Sequence, residues 1–315
     1  MVLRDNFGRP LLNLRVAITR KCNINCSFCH GEGEELQANK MSEMTVEEIV
    51  RIVRTAVKLD IRKVKLTGGE PLTRTDVLDI VNGISSLPSL VDLSMTTNGT
   101  LLAPLAKKLY LSGLQRVNIN LPTIDEESYN KLTGGRVEDA LSGVKAAVEA
   151  GFCPVKLNML ILNGSNDSAV PQMIGFAKQT GAILQLIELE PINMTSAYYS
   201  ANHKSLDQYE IMLKESAVRV ETRRFMNNRR IYHLPDVKVE VVRPTENTEF
   251  CMHCSRIRVT SDGKLKPCLM RNDNLVDILT PMRNGASDQE LTELFKLANQ
   301  KRHPYNISAQ KSFTL

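Results

Sequence analysis

Short apolar runs alternate with segments of helical periodicity through the first 190 residues of this 315-residue chain. Six of the apolar runs are predicted strands, over residues 12–18, 63–67, 90–96, 115–121, 154–162 and 182–189. Helices are predicted between them, over residues 44–59, 75–84, 101–111, 137–150 and 169–179. This alternation indicates parallel strands joined by right-handed crossovers. Since six units are fewer than the eight of a closed barrel, we predict an α/β fold built on an open, partial (β/α)6-type TIM barrel.

The chain changes character after residue 190. Residues 191–315 are richer in Arg, Asn and Tyr, and they contain three of the seven cysteines. We predict that residues 1–190 form the partial barrel. Residues 191–315 are predicted to form a small C-terminal α+β domain that closes the open side of that barrel.

The composition is ordinary for a globular protein, with 42% apolar and 24% charged residues. Residues 1–10 lack the apolar core of a signal peptide, and no apolar run reaches the roughly 18 residues of a membrane helix. We therefore expect a cytoplasmic protein without a membrane partner, either a monomer or a homodimer. The net charge of +5 is compatible with an anionic ligand but does not favour nucleic acid.

Three cysteines, Cys22, Cys26 and Cys29, stand in C-x3-C-x2-C spacing after the first predicted strand. Iron–sulfur clusters are normally held by four thiolates, so three would leave one iron open to a small molecule. A structural zinc site is the main alternative, with His30 as a fourth ligand, although zinc sites usually contain paired C-x2-C motifs. A disulfide is less favoured, because three is an odd number and the context looks cytosolic.

A second set of cysteines, Cys251, Cys254 and Cys268, has C-x2-C-x13-C spacing and again supplies three thiolates. Arg256 and Arg258 follow Cys254 and share one face of an extended strand. Two guanidinium groups beside a cluster suit a phosphate-bearing substrate. The alternative is a zinc site completed by His253, with solvated arginines. The seventh cysteine, Cys153, is expected to be a small buried residue.

The segment Gly68-Gly69-Glu70-Pro71 follows the second predicted strand, where glycines let the backbone approach a ligand closely. Together with C-x3-C-x2-C, it resembles the radical S-adenosylmethionine superfamily. That resemblance implies a 4Fe–4S cluster on the first cysteine set, whose open iron chelates S-adenosylmethionine. It also implies reductive cleavage to methionine and a 5′-deoxyadenosyl radical that abstracts hydrogen from substrate. Phe28, Gly69 and Asn120 match positions that bind S-adenosylmethionine.

The segment from Phe250 to Leu269 resembles the GTP 3′,8-cyclases, the family that begins molybdenum cofactor biosynthesis, and most closely their archaeal branch. The resemblance extends from Leu14 to about Leu269. It implies a second 4Fe–4S cluster that binds the guanine, and cyclisation of GTP to (8S)-3′,8-cyclo-7,8-dihydroguanosine 5′-triphosphate. An external electron donor and a next enzyme that receives the product are implied partners.

The same resemblance assigns residues to the substrate. Arg15, Lys65, Thr96 and Lys156 match GTP-contacting positions, although bacterial members have arginine in place of Lys65. The stretch Arg256, Ile257 and Arg258 matches the loop between the second and third ligands of the second cluster. The catalytic set implied in this way comprises Cys22, Cys26, Cys29, Arg256 and Arg258.

Several positions depart from the family pattern. Asn120 stands where serine is usual, Gln185 where bacterial members have arginine, and Glu190 where they have methionine. The printed sequence ends in Ser308 to Leu315, without the terminal Gly-Gly of bacterial members. We therefore expect either another tail in the archaeal branch or a different way of initiating the radical.

A run of arginines precedes Tyr232, and its members are Arg219, Arg223, Arg224, Arg229 and Arg230. Phosphate neutralisation and a solvated edge strand remain equally open interpretations of this run. RNA binding would require stacking aromatics, but only 5% of residues are aromatic and Trp is absent. The main enzymatic alternative is a radical enzyme that modifies peptides and carries auxiliary clusters, which typically has more C-terminal cysteines. A non-catalytic metal-binding regulator would not need Gly68-Gly69-Glu70-Pro71.

Overall fold

The computed structural model describes residues 2–34 and 43–306. The strands are β1 (Asn13–Ala17), β2 (Lys63–Thr67), β3 (Asp92–Thr97), β4 (Arg116–Asn120), β5 (Val155–Leu160), β6 (Ile183–Ile187), β7 (Arg219–Arg223), β8 (Arg229–His233), β9 (Lys238–Val242), β10 (Arg256–Val259), β11 (Lys264–Lys266) and β12 (Val276–Asp277). The α-helices are α1 (Val46–Lys58), α2 (Val77–Ser85), α3 (Ala106–Leu111), α4 (Glu126–Thr133), α5 (Val137–Ala150), α6 (Val170–Thr180), α7 (Ser196–Asn202), α8 (Asp207–Ser216), α9 (Thr248–Met252), α10 (Leu279–Arg283) and α11 (Asp288–Gln300).

All twelve strands belong to one sheet, in the order β12-β11-β10-β1-β2-β3-β4-β5-β6-β9-β8-β7. The central eight strands, from β10 to β9, are parallel, and an antiparallel hairpin stands at each edge. The six predicted strands, β1 to β6, are confirmed, as is the α/β class with a partial barrel. Strands β9 and β10 from the C-terminal part extend the same sheet on opposite sides. The domain boundary at residue 190 stays a prediction.

Local sequence explains where the helices begin and end. Helix α1 begins at a capping box, in which Thr45 and Glu48 each accept a hydrogen bond from the other's backbone N–H. Helices α5 and α6 end at Gly151 and Gly181, which adopt the left-handed conformation that glycine tolerates best. These helices pack the outward, apolar face of the strands into the main core.

The inward face of the sheet is polar, because polar residues alternate with apolar ones along the parallel strands. On β1, Leu14 and Val16 are fully buried in the core, whereas Asn13 and Arg15 face a cavity. A closed TIM barrel fills its interior with branched apolar side chains. Here the inward residues leave a cavity of about 330 Å³, in the size range of small-molecule sites.

Candidate active site

The first cysteine set lies in the loop that follows β1, at the carboxyl end of the parallel strands. Cys22 and Cys29 are exposed, Cys26 is half-buried, and all three are free thiols that line the cavity. The N–H groups of Asn25 and Ser27 donate to carbonyls at the end of α4 and fix the loop. Burial, followed by the nearby charges of Cys29 and Cys22, raises the pKa of Cys26 to about 12. Three free cysteines on one loop at one end of the cavity are a donor set that fits an iron–sulfur cluster.

The turn after β2 holds this loop in place. The Gly69 N–H donates to the Thr19 carbonyl at 2.8 Å, and the Glu70 N–H donates to the Lys21 carbonyl at 2.7 Å. A Cβ atom at Gly69 would stand 2.2 Å from the Lys21 oxygen, so only glycine permits this approach. The Gly69 N–H is therefore already hydrogen-bonded within the protein, so the Gly69 carbonyl is the group left to contact a ligand.

Glu70 is fully buried and has a structural task. Its carboxylate accepts hydrogen bonds from the Leu72 N–H, the Thr97 hydroxyl and the Asn98 N–H. The Asn98 side chain in turn contacts Asn23 in the cysteine loop at 2.9 Å. Glu70 thus links β2 and β3 to the loop that carries the first cysteine set.

The second cysteine set lies at the opposite end of the strands. Cys251 and Cys254 precede β10, and Cys268 follows β11, which is antiparallel to β10. Burial opposes ionisation of Cys254, but the charges of Arg302, Arg256 and Arg9 outweigh it and lower the pKa of this thiol to about 6. Burial raises the pKa of the Cys268 thiol, and the charges of Cys254 and Cys251 act in the same direction.

The two sets therefore flank the cavity from its two ends. Cys251 and Cys254 line the same cavity as the first set, and Cys268 stands behind them. A five-residue strand such as β1 spans about 16 Å, which gives the scale of the separation. Within residues 2–34 and 43–306, no three His, Cys, Asp or Glu side chains are arranged to hold a single metal ion.

A row of cations crosses the cavity wall between the two sets. Strand register places Lys65, Arg15 and Arg258 at the same level on β2, β1 and β10. Glu32 lies against this row, 3.5 Å from Arg15, and accepts from the Thr67 hydroxyl at 2.6 Å. Burial opposes ionisation of Glu32, but Arg15, His30 and Arg258 lower the pKa of its carboxyl to about 2.

This row has more positive charge than the protein neutralises. Burial, followed by the charges of Arg15 and Arg116, lowers the pKa of the Lys65 ammonium well below its usual value. Among the described residues that line the cavity, three buried guanidinium nitrogens lack hydrogen-bond partners, and they are the Nε atoms of Arg15, Arg229 and Arg258. Arginine stays protonated in proteins, so these donors are available to an anionic ligand.

A second cationic group surrounds Glu240 on β9. This carboxylate is fully buried, pairs with Lys156, and lies 3.0 Å from Arg223 and 3.4 Å from Arg229. Lys156, Arg223 and Arg229 all line the cavity. Burial lowers the pKa of Lys156 to about 8, although Glu240 acts in the opposite direction. Sequence reasoning missed Glu240, whose signal was a single acidic residue inside the apolar strand Lys238–Val242.

Most residues predicted for ligands face the cavity, and these are Arg15, Phe28, Lys65, Gly69, Thr96, Asn120, Lys156, Arg256 and Arg258. Gln185 and Glu190, which depart from the family pattern, also face it. Ile257 is the exception, because its side chain is fully buried in the core on the other face of β10. Only its backbone remains to contact a ligand.

Three further expectations have different outcomes. The arginine run divides, since Arg223 and Arg229 point into the cavity whereas its other members, Arg219, Arg224 and Arg230, are exposed. Cys153 is exposed and not buried, because it lies in the turn before β5. The tail from Ser308 to Leu315 lies outside the described residues.

Two family models match the chain. Residues 16–177 match the radical SAM superfamily, and residues 182–307 match the Molybdenum Cofactor Synthesis C family. Among solved structures, native anSMEcpe with bound AdoMet has a TM-score of 0.63 at 15% identity, covering 94% of this chain and 84% of that chain. Streptococcus suis SuiB bound to S-adenosylmethionine has a TM-score of 0.62 at 16% identity, covering 83% of this chain and 61% of that chain. These two likenesses support the fold.

Curated relatives are much closer in sequence. The probable GTP 3′,8-cyclase of Thermococcus kodakarensis is 49% identical over 311 residues, covering 96% of this chain and 99% of the relative. That of Methanocaldococcus jannaschii is 44% identical over 304 residues, with the same coverage. None of the helices in the part of the chain that is described has the length and apolar character needed to cross a membrane. From its two matched models and its near full-length relatives, the chain belongs to the GTP 3′,8-cyclase family of the radical SAM superfamily.

Proposed function

We propose that this protein cyclises GTP to (8S)-3′,8-cyclo-7,8-dihydroguanosine 5′-triphosphate in molybdenum cofactor biosynthesis. The observation that carries the proposal is one cavity with a three-cysteine set at each end and cationic side chains along the wall between them. The relatives at 49% identity that bear this enzyme name support it. Peptide modification, the alternative from sequence, has no comparable support.

At the first end, Cys22, Cys26 and Cys29 hold a 4Fe–4S cluster, and Phe28, Gly69 and Asn120 contact S-adenosylmethionine. When bound, the cluster and S-adenosylmethionine supply the one-electron reduction and the hydrogen abstraction at ribose C3′. The exposed position of Cys22 and Cys29 leaves space for a ligand on the cavity side. The side-chain Oδ1 of Asn120 accepts a hydrogen bond from the Asn158 side-chain amide at 2.9 Å, which orients the Asn120 amide group.

At the second end, Cys251, Cys254 and Cys268 hold the other cluster, beside which the guanine binds. Arg256 and Arg258 stand on β10, between Cys254 and Cys268 in the chain, and bind and orient GTP. Arg256 is itself positioned by the Asn227 side-chain oxygen at 2.6 Å. Both arginines present several N–H donors in a planar fork, which suits them to hold phosphate oxygens.

The remaining cations neutralise the triphosphate. Arg15 and Lys65 extend the row from Arg258 along the wall, and Lys156 approaches from β5. Thr96 contributes a hydroxyl on β3. A nucleotide placed in this way would have its ribose between the two cysteine sets.

The proposal includes partners. The protein takes electrons from an external donor and passes its product to the next enzyme of the pathway. We place it in the cytoplasm, as a monomer or a homodimer. These assignments are inferred from the reaction of the family.

The proposal is tested by anaerobic incubation of the reconstituted protein with S-adenosylmethionine, dithionite and GTP deuterated at C3′. We expect deuterium in 5′-deoxyadenosine and an isomer of GTP that has lost the label, both detected by mass spectrometry. GTP deuterated at C2′ is the control and leaves 5′-deoxyadenosine unlabelled. Formation of 5′-deoxyadenosine without any product from GTP would refute the proposal and favour peptide modification.

A further inference from the structure

Two distant segments of the chain meet behind the second cysteine set. Asp5, Arg9 and Arg302 lie there with exposed fractions of 6%, 5% and 1%. The Asp5 carboxylate accepts from Arg9 Nε at 2.8 Å and stands 3.3 Å from Arg302 Nη1. It also accepts the backbone N–H groups of Phe7 and Arg9, both at 3.0 Å. A single buried carboxylate therefore joins two buried guanidinium groups.

Each guanidinium also donates a hydrogen bond to the loop that carries Cys251 and Cys254. Arg9 Nη1 donates to the Cys251 carbonyl at 2.8 Å, and Arg302 Nη2 donates to the Cys254 carbonyl at 2.6 Å. The two ligands of the C-x2-C motif are thus fixed through their own backbones. Arg302 is not among the residues that line the cavity, so its action on a bound cluster is indirect.

The same group changes the charge around the second set. Two guanidinium groups and one carboxylate leave one net positive charge buried behind Cys251 and Cys254. Nearby, the Asn306 N–H points to the Cys251 sulfur at 3.5 Å. Hydrogen bonds, net charge and solvent exposure are the means by which a protein sets the potential of an iron–sulfur cluster. A buried positive charge favours the reduced, more negative state.

We propose that Asp5, Arg9 and Arg302 form a positioning clamp that fixes the ligand loop of the second cluster and raises the reduction potential of that cluster. The inference rests on the proposed function only in requiring a cluster on the second cysteine set. The clamp predicts the direction in which each substitution shifts the reduction potential. Loss of a clamp cation lowers the potential of the second cluster, whereas loss of the Asp5 charge raises it.

The test is a redox titration of the reconstituted holoenzyme, followed by electron paramagnetic resonance. The signal of the second cluster is assigned with a variant in which Cys22, Cys26 and Cys29 are all replaced by serine. In Arg302→Gln we expect the second cluster to be about tenfold harder to reduce, about 59 mV for one electron. Arg302→Lys retains the charge and stays near the wild-type potential. The first cluster is the internal control.

Asp5→Asn keeps the side-chain oxygen that accepts the backbone N–H groups and is expected to shift the second potential upward. Should Arg302→Gln fail to fold, Arg9→Gln takes its place with the same expected direction. Arg62→Gln, at an exposed ion pair with Asp60, is the matched control. Unchanged potentials, or shifts of one sign in the Arg302 and Asp5 variants, would overturn the clamp. A wild-type protein with only about four irons would instead remove the second cluster, and the inference with it.

Discussion

The two cysteine sets have the same number of thiols but different surroundings. The first lies in a loop with two exposed cysteines, fixed by backbone hydrogen bonds and by the buried carboxylate of Glu70. The second is partly buried and is flanked by Arg9, Arg256 and Arg302. Residues around a metal centre decide its access and its charge. The three cysteines at one end of the cavity therefore form an accessible site, whereas the three at the other end lie in electropositive surroundings.

The largest expected effect separates the two sets directly. Cys22→Ser removes a ligand of the first cluster and is expected to abolish reductive cleavage of S-adenosylmethionine. Cys268→Ser is expected to abolish cyclisation of GTP while cleavage continues without product. Each variant should retain about four of about eight irons. Assays of iron, 5′-deoxyadenosine and GTP products check this, and loss of cleavage in both variants would contradict the division of tasks.

Gly69→Ala tests how the first set is held. The added Cβ atom would stand 2.2 Å from the Lys21 carbonyl oxygen, so the cysteine loop must move. We expect loss of the iron of the first set and retention of the second cluster. Gly175→Ala is the matched control, because nothing lies within 4 Å of its Cβ position and the residue is in helix α6. Full iron content in Gly69→Ala would show that the close approach is not required.

Substitution of the arginines of β10 tests the electropositive end. Arg256→Ala or Arg258→Ala is expected to weaken GTP binding by about tenfold to a hundredfold, since a hydrogen bond to a charged group contributes about 1.5–3 kcal/mol. Cleavage of S-adenosylmethionine should remain partly intact. Anaerobic calorimetry with GTP measures the change. Arg224→Ala, at an exposed arginine of the run before Tyr232, serves as the control, and an equal loss of GTP affinity in this variant would remove the assignment.

The smallest expected effect concerns pH and Lys156. Burial lowers the pKa of its ammonium to about 8, so the group is charged below that pH and neutral above it. The affinity for GTP should therefore fall as pH rises through 8, by up to about tenfold per pH unit. Lys156→Arg keeps its charge and should flatten this dependence. Identical pH profiles of the dissociation constant in the two proteins would exclude Lys156 as the source.

Much of the fold could be predicted from the sequence because its strands are short apolar runs between clear turn signals. The predicted strand 63–67 and helix 137–150 coincide with β2 and α5. The places of β9 and β10 in the sheet were beyond such reasoning, since these strands flank β1 to β6 on opposite sides and pair out of sequence order. Helix α4 was also missed, and its Asp125 N-cap was the available signal.

The residues of the site could be predicted where their spacing in the sequence indicates their chemistry. Both cysteine sets and the Arg256–Arg258 pair follow from local motifs, whereas Glu240 and Arg302 depend on contacts between distant segments. Strand alternation alone places Ile257 on the face opposite its neighbours, and this was available from the sequence. The hydrogen bond from the Gly69 N–H to the Thr19 carbonyl could not be predicted from the sequence, because that requires knowing that the two loops touch.

One lysine joins the two cysteine loops. Lys266 is fully buried two residues before Cys268, and its ammonium donates to the Gly33 carbonyl at 2.9 Å, four residues after Cys29. A Cβ atom at Gly33 would stand 2.5 Å from the Leu269 carbonyl oxygen, so the loops are in close contact there. Ordering either loop reduces the conformational freedom that the other has yet to lose. The loops that carry Cys29 and Cys268 therefore share one direct contact, through which a displacement of either loop acts on the other.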